Sequence, residues 1–269
     1  LTELTAQRGA GTLSATGSYT FNGGAISGNA RISDFHIDEV PDFSATATMA
    51  ADVGGTLTAP TGTFNGRLLD VRYQNQEHGD LDLEGKLENE LASVRFQSGK
   101  YTAAGTADIG LKEPYTYSAS VTANRTRVAY QQYDFNANGN IQATGTLKPF
   151  TTERIRFEDF AARGAGVDLT ASGVFPEGAR LNGPADLALL PIAGVEATGQ
   201  ARMQAVVSGT LEDPRIEGSV ETSNATLRAE GMPEPASVQA AIDFTRNEFA
   251  IRRLQAALAG ATATISGKG

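Results

Sequence analysis

The chain contains no cysteine and no tryptophan, and its 269 residues include only two histidines, His36 and His78. Zero Cys excludes a disulfide framework, a thiol nucleophile and a thiolate metal site. A Gly-x-Ser-x-Gly elbow is also missing, so a hydrolase lacks its parts and no catalytic residue or cofactor is expected. No run of about 18 apolar residues exists, so nothing reads as a membrane-spanning helix. Cations are scarce: 22 Lys and Arg face 31 Asp and Glu, a net charge of −9. With no basic cluster to offset it, that balance excludes nucleic acid as a partner. There is no initiating Met and no signal peptide, and Leu1 falls inside a pattern. We read the chain as a piece of a longer protein.

What is present is glycine, 30 residues of it, and a period of two. In Phe43-Ser-Ala45-Thr-Ala47-Thr-Met49-Ala-Ala51-Asp-Val53 apolar residues hold every second place. A strand sends successive side chains to opposite faces, so this run has one apolar and one polar face. The runs 117–123, 201–207 and 238–244 repeat the design. Turn signals punctuate them: Asn22-Gly23-Gly24, Asn65-Gly66, His78-Gly79-Asp80, Asn138-Gly139-Asn140 and Pro176-Glu177-Gly178. A turn about every 10 to 12 residues predicts roughly 17 to 20 strands, joined mostly as hairpins.

Two phrases recur. "IRFEDFAARGAGVDLTASG" at 155–173 resembles "IRRLQAALAGATATISG" at 251–267, "VRFQSGKYTAAGTADIG" at 94–110 and the opening "LTELTAQRGAGTLSATG" at 1–17. Each reads as strand, Gly-containing turn and returning strand. Residues 250–260 also fit helical spacing through Ile251, Leu254 and Leu258, but the shared plan makes them strand. The second phrase, Val-x-Gly-Thr-Leu-x-x-Pro, stands at 53–60 and 207–214, with part of it at 143–149. Pro cannot donate to a ladder, so the phrase marks one strand's end and the next strand's start. Uneven spacing excludes a solenoid of fixed period. Ile216, Gly218 and Val220 hold one parity and Ala225, Leu227 and Ala229 the other, which predicts a bulge or corner near 222–224.

A sheet with one apolar face must cover it, by packing on a second sheet, closing into a barrel, or curling into a trough for a guest. Aromatics at 7% and the missing Trp argue against a membrane barrel with aromatic girdles. The apolar positions are rich in Ala, which leaves room for a guest and also suits a tight bend. We therefore expect an all-β fold, a long mostly antiparallel sheet curled into an open apolar groove. Residues 1–269 would form one continuous repetitive segment. The groove would be lined by Phe43, Ala45, Ala47, Met49, Val53, Val121, Val167, Leu169, Met203, Ala205, Val207, Ile216, Val220, Val238, Ala240, Ile242 and Phe244.

The second phrase, followed by "SVETSNATLRAEGMPEPASVQAAIDFTRNEFAIRRLQAALAGATATISGKG", resembles the repeats of the TamB and AsmA-like proteins of Gram-negative envelopes. The likeness is clearest over 201–269, extends to 143–269, and is stylistic over 1–142. It implies a β-taco whose groove carries phospholipid acyl chains between inner and outer membranes through the periplasm. It also implies a full-length protein anchored in the inner membrane and docked to an outer-membrane barrel of the Omp85 type, aiding assembly of other barrels. A structural β-helix or adhesin-like surface module is the alternative. Metal is a further possibility at Asp34, His36 and Asp38, or at His78, Asp80, Asp82 and Glu84, each set on one strand face. A solvated outer face is the preferred reading of both sets.

Overall fold

The computed structural model describes residues 3–38, 43–73, 76–130, 133–164, 166–189, 195–210, 213–232, 234–258 and 260–268. These residues form an all-β protein with 19 strands in one antiparallel sheet. The strands are β1 (Leu4–Arg8), β2 (Gly11–Thr20), β3 (Ala25–Ile37), β4 (Phe43–Gly55), β5 (Pro60–Tyr73), β6 (Gln76–Glu88), β7 (Leu91–Ser98), β8 (Ala103–Gly110) and β9 (Thr116–Tyr130). They continue with β10 (Tyr133–Leu147), β11 (Phe150–Gly164), β12 (Val167–Phe175), β13 (Gly178–Asp186), β14 (Val195–Thr198), β15 (Gln200–Gly209), β16 (Pro214–Ala229), β17 (Ala236–Thr245), β18 (Phe249–Leu258) and β19 (Ala261–Lys268). Among the described residues the one helical element is a single 3-10 turn, Leu187–Leu189. Residues 250–258, whose spacing also fits a helix, are strand.

Strands pair with their neighbours in chain order, with one exception. β13 pairs with β15, and the short β14 pairs with the far end of β16. The four copies of the first phrase are the hairpins β1–β2, β7–β8, β11–β12 and β18–β19. Ala165 and Ala259, at two of their turns, lie outside the described residues.

The second phrase is a specific turn. Gly55 and Gly209 end their strands with φ of 85° and 91°, a conformation that glycine adopts without steric cost. The Thr56 amide then donates to the Ala59 carbonyl (3.1 Å), and the Ala59 amide donates to the Thr56 hydroxyl (3.1 Å). Thr210 and Asp213 repeat both bonds at 3.3 and 3.0 Å. Pro60 and Pro214 open the next strands, where no amide is required. Leu211 lies outside the described residues.

Three of the expected turns are strand interior instead. Asn65-Gly66 lies within β5, His78-Gly79-Asp80 within β6 and Asn138-Gly139-Asn140 within β10. Gly66 faces the Met49 side chain across the ladder. Gly79 and Gly139 take φ of 73° and 111° at local irregularities. Glycine there serves close approach rather than chain reversal.

Contacts group the chain into two compact units, 1–124 with 142–153, and 125–141 with 154–269. In each, the long strands carry bulges built on a left-handed residue. In unit 1 these are Asp34 (φ 52°) and Asp70 (φ 51°), and in unit 2 Arg125 (φ 51°) and Asp159 (φ 48°). Side chains of the next strand satisfy three of the displaced amides. Asp34 N donates to Thr48 Oγ1 (3.4 Å), Asp70 N to Asp80 Oδ1 (3.2 Å) and Arg125 N to Asn138 Oδ1 (2.7 Å). In β16 the register shifts between Thr222 and Ala225, where the parity of its apolar residues changes.

A left-handed backbone suits Asp and Asn far better than β-branched residues. Asp70→Val should therefore cost about 1–3 kcal/mol in urea unfolding. Asp70→Gly should unfold within about 0.5 kcal/mol of the parent, because Gly enters that region freely.

Candidate functional site

The registers decide which side chains share a face. In unit 1, Ile32 opposes Met49, Phe35 opposes Ala47 and Ile37 opposes Ala45. Across β4 and β5, Met49 opposes Gly66, Ala51 opposes Phe64 and Val53 opposes Gly62. The same face continues through Leu81 and Leu83, Phe96 and Val94, Gly105 and Ala107, to Val121 and Ala119. Phe43, Ala45, Ala47, Met49, Val53 and Val121 all stand on it.

Unit 2 repeats the arrangement. Gly183, opposite Met203 in β15, follows Leu181, which opposes Ala171 in β12. Met203 opposes Val220, Ala205 opposes Gly218 and Val207 opposes Ile216. Val220 opposes Ile242, Thr222 opposes Ala240, Ala225 opposes Val238 and Gly218 opposes Phe244. Val167, Leu169, Met203, Ala205, Val207, Ile216, Val220, Val238, Ala240, Ile242 and Phe244 therefore share one face. Of all seventeen residues, Ala45, Ala47, Ala205 and Val238 are buried and the others half-buried.

Burial follows residue size in an unusual way. Among the described residues, eleven of the fourteen buried apolar side chains are Ala, and no large side chain is fully buried. The buried set clusters beside the bulges. Val71 follows Asp70, Thr126 follows Arg125, Ala171 opposes Phe160 just after Asp159, and Ala225 follows the β16 shift. A bulge bends its strand, and a side chain on the inside of a bend is shielded by both arms. Only a small one fits. Of the two reasons for the Ala content, room for a guest and a tight bend, burial at these positions supports the bend.

The floor of the face has its own construction. Phe64 lies over Gly85, Phe96 over Gly105 and Phe244 over Gly218, each pair directly opposite in register. A Cβ on Gly85 or Gly105 would meet the facing ring at 2.4 Å, and one on Gly218 would meet it at 2.7 Å. Each ring thus covers exposed backbone and lies low on the sheet. Sequence reasoning missed Phe64 and Phe96. The only signal was glycine inside an alternating run, which reads as a bulge or close approach.

Within each unit the described strands make their main contacts with their neighbours in the sheet. The chain exposes 17151 Å2, whereas a compact monomer of its mass exposes about 11,000 Å2.

The opposite face is polar, and the described hollows open there. In unit 1 a hollow of about 1090 Å3 is lined by Arg31, Asn65, Arg67, Glu84, Arg95 and Thr122, among others. In unit 2 one of about 600 Å3 is lined by Arg202, Glu221, Gln239 and Arg253. Twist makes a sheet saddle-shaped, so each face is concave in one direction. Charges there largely neutralise one another. Arg67 Nε pairs with Asp82 at 2.6 Å, and Arg252 bridges Glu221 at 2.8 Å and Asp243 at 2.9 Å. The hydrogen bond that Arg67 donates to Asp82 raises the Arg67 pKa, and the one that Arg252 donates to Glu221 raises the Arg252 pKa.

The two candidate metal sets do not converge. Asp34 forms a bulge, Asp38 pairs with Arg8 at 2.9 Å, and His36 sits across from Thr46. Asp80 accepts the Asp70 amide, Asp82 pairs with Arg67 and Glu84 lies 3.7 Å from Arg95. The His78 ring instead packs on Tyr101 with centroids 5.9 Å apart. Among the described residues no three His, Cys, Asp or Glu side chains are grouped to hold a metal ion.

Gly105→Val should destabilise unit 1 by about 1–3 kcal/mol through the clash with Phe96 and the Ser120 carbonyl. Gly99→Val, whose Cβ would meet nothing within 4 Å, should change unfolding by no more than about 0.5 kcal/mol. No family model, no curated protein and no solved structure matches the chain.

Proposed function

We propose that the apolar face conducts phospholipid acyl chains, and that the chain is a segment of a periplasmic bridge between inner and outer membranes. The observation that supports this is the continuous apolar face in each unit, lined by half-buried Met, Val, Ile and Phe. An acyl chain in water costs about 0.8 kcal/mol per CH2, so a chain of about 16 carbons costs on the order of 12 kcal/mol. A continuous apolar path lowers that cost at every step and leaves the head group in water. Sliding along such a path needs no catalytic residue, cofactor or metal.

The envelope setting, inner-membrane anchor and outer-membrane barrel partner come from the resemblance to TamB and AsmA-like repeats, which rests on the quoted motif alone. The alternative of a β-helix is disfavoured because its coils stack in parallel, whereas the registers here are antiparallel. Parallel stacking would also require a repeat of fixed length.

A photo-crosslinking residue at Met203 or Ile242 should capture phospholipid in cells, and one at Gln204, on the polar face, should not. Native mass spectrometry of the purified chain should show bound phospholipid. Equal capture at Met203 and Gln204, or capture of protein alone, would refute the reading.

A further inference from the structure

The hairpin tips of unit 1 form an apolar rim at one end of the strands, beyond the seventeen residues assigned to the groove. Five turns lie at one end of its strands: 21–24, 56–59, 89–90, 111–115 and 148–149. Exposed apolar side chains stand on or beside each of them. Phe21 is 90% exposed, Leu57 and Phe150 are each 67% exposed, and Leu91, Leu111 and Leu147 are also exposed. Apart from Leu4 on β1, every exposed large apolar side chain described in unit 1 is at this end.

The row is built, not frayed. Main-chain hydrogen bonds lace successive tips together. Leu57 N donates to Gly24 O (3.4 Å), Leu111 N to Glu90 O (2.9 Å) and Leu147 N to Tyr115 O (3.0 Å). Ion pairs tie the same tips, Lys112–Glu90 at 2.6 Å and Lys148–Glu113 at 2.7 Å. Phe21 packs edge-on against Tyr19, and Phe150 stacks on Tyr117.

We propose that this rim is a docking surface for a lipid bilayer. The amides of Leu57, Ala59, Leu111, Leu147 and Lys148 are already bonded within the rim, as a nonpolar phase favours. The ion pairs cancel the local charge, so neutral head groups are not repelled in spite of the chain's net charge of −9. The apolar groups stand on separate tips, about 10 Å apart per hairpin from strand spacing. Single apolar groups on separate tips suit insertion between lipids. A protein partner needs anchors clustered in one desolvated patch. The proposal is independent of acyl-chain conduction, because it uses different residues.

The absence of Trp supplies the experiment. Phe21→Trp and Phe150→Trp each place one indole on the rim, and Phe249→Trp places one at an exposed site in unit 2. With vesicles of phosphatidylcholine and phosphatidylethanolamine, emission of the two rim variants should shift to the blue and be quenched by dibrominated phosphatidylcholine. The Phe249→Trp variant should respond far less. The combined variant F21S/L57S/F150S should lose vesicle binding, by about tenfold or more for each Phe removed, while retaining whatever phospholipid co-purifies with the groove. No shift at the rim, equal quenching at position 249, or unchanged binding by the triple variant would overturn the proposal.

Discussion

A β-strand alternates its side chains between two faces, so a strand that bends at a bulge must still deliver its apolar residues to one side. The rest of this structure depends on that constraint. One extra residue flips the parity of everything beyond it. In β3 the apolar set reads Ile26, Ala30 and Ile32 before the bulge and Phe35 and Ile37 after it. In β5 it reads Phe64 and Leu68, then Val71. The left-handed Asp34 and Asp70 absorb the extra residue, and Thr48 and Asp80 satisfy the amides it displaces. Without that absorption, half of each long strand would turn its apolar residues to water.

The bend then dictates residue size. Ala45, Ala47 and Ala225 are each 2% exposed, although Ala is too small to build a conventional core. They are buried because the arms of a bent strand meet over them. Away from the bend the larger side chains lie flat, with Phe64, Phe96 and Phe244 laid across Gly85, Gly105 and Gly218. The sheet so formed is thin. Its backbone groups are paired within the ladder, and its apolar face is half-shielded by its own rings.

The alternation was legible in the sequence, and with it the all-β class, the approximate strand count and the shared face within each unit. Hairpin echoes resolved residues 250–258 as strand against a helical spacing that was also present. The Thr222–Ala225 shift was legible because apolar residues flank it in opposite parity. The bulges at Asp34, Asp70 and Asp159 were not, because an Asp just before an apolar residue looks like ordinary alternation. Their signature is an apolar pair three apart with Asp just before the second member: Ile32 and Phe35, Leu68 and Val71, Phe157 and Phe160. Glycine misled in the other direction. Gly66, Gly79 and Gly139 follow Asn or His and mimic reversal signals, whereas ladder contacts demand them. The choice depends on what crosses the neighbouring strand, which a local reading does not contain.

A conduit and a binding pocket make opposite demands on an apolar surface. A pocket gains affinity from depth and close complementarity, and both would trap a sliding chain. A conduit works best when successive positions hold the acyl chain about equally well, so that no step is deep. Small side chains at the bend and rings lying low over glycine give a face of that kind, shallow and without a described cavity of its own. The described hollows open on the other side and mix Arg and carboxylate groups with apolar side chains such as Ala50 and Leu69. On the proposed reading, an apolar face without deep steps is therefore what transport requires.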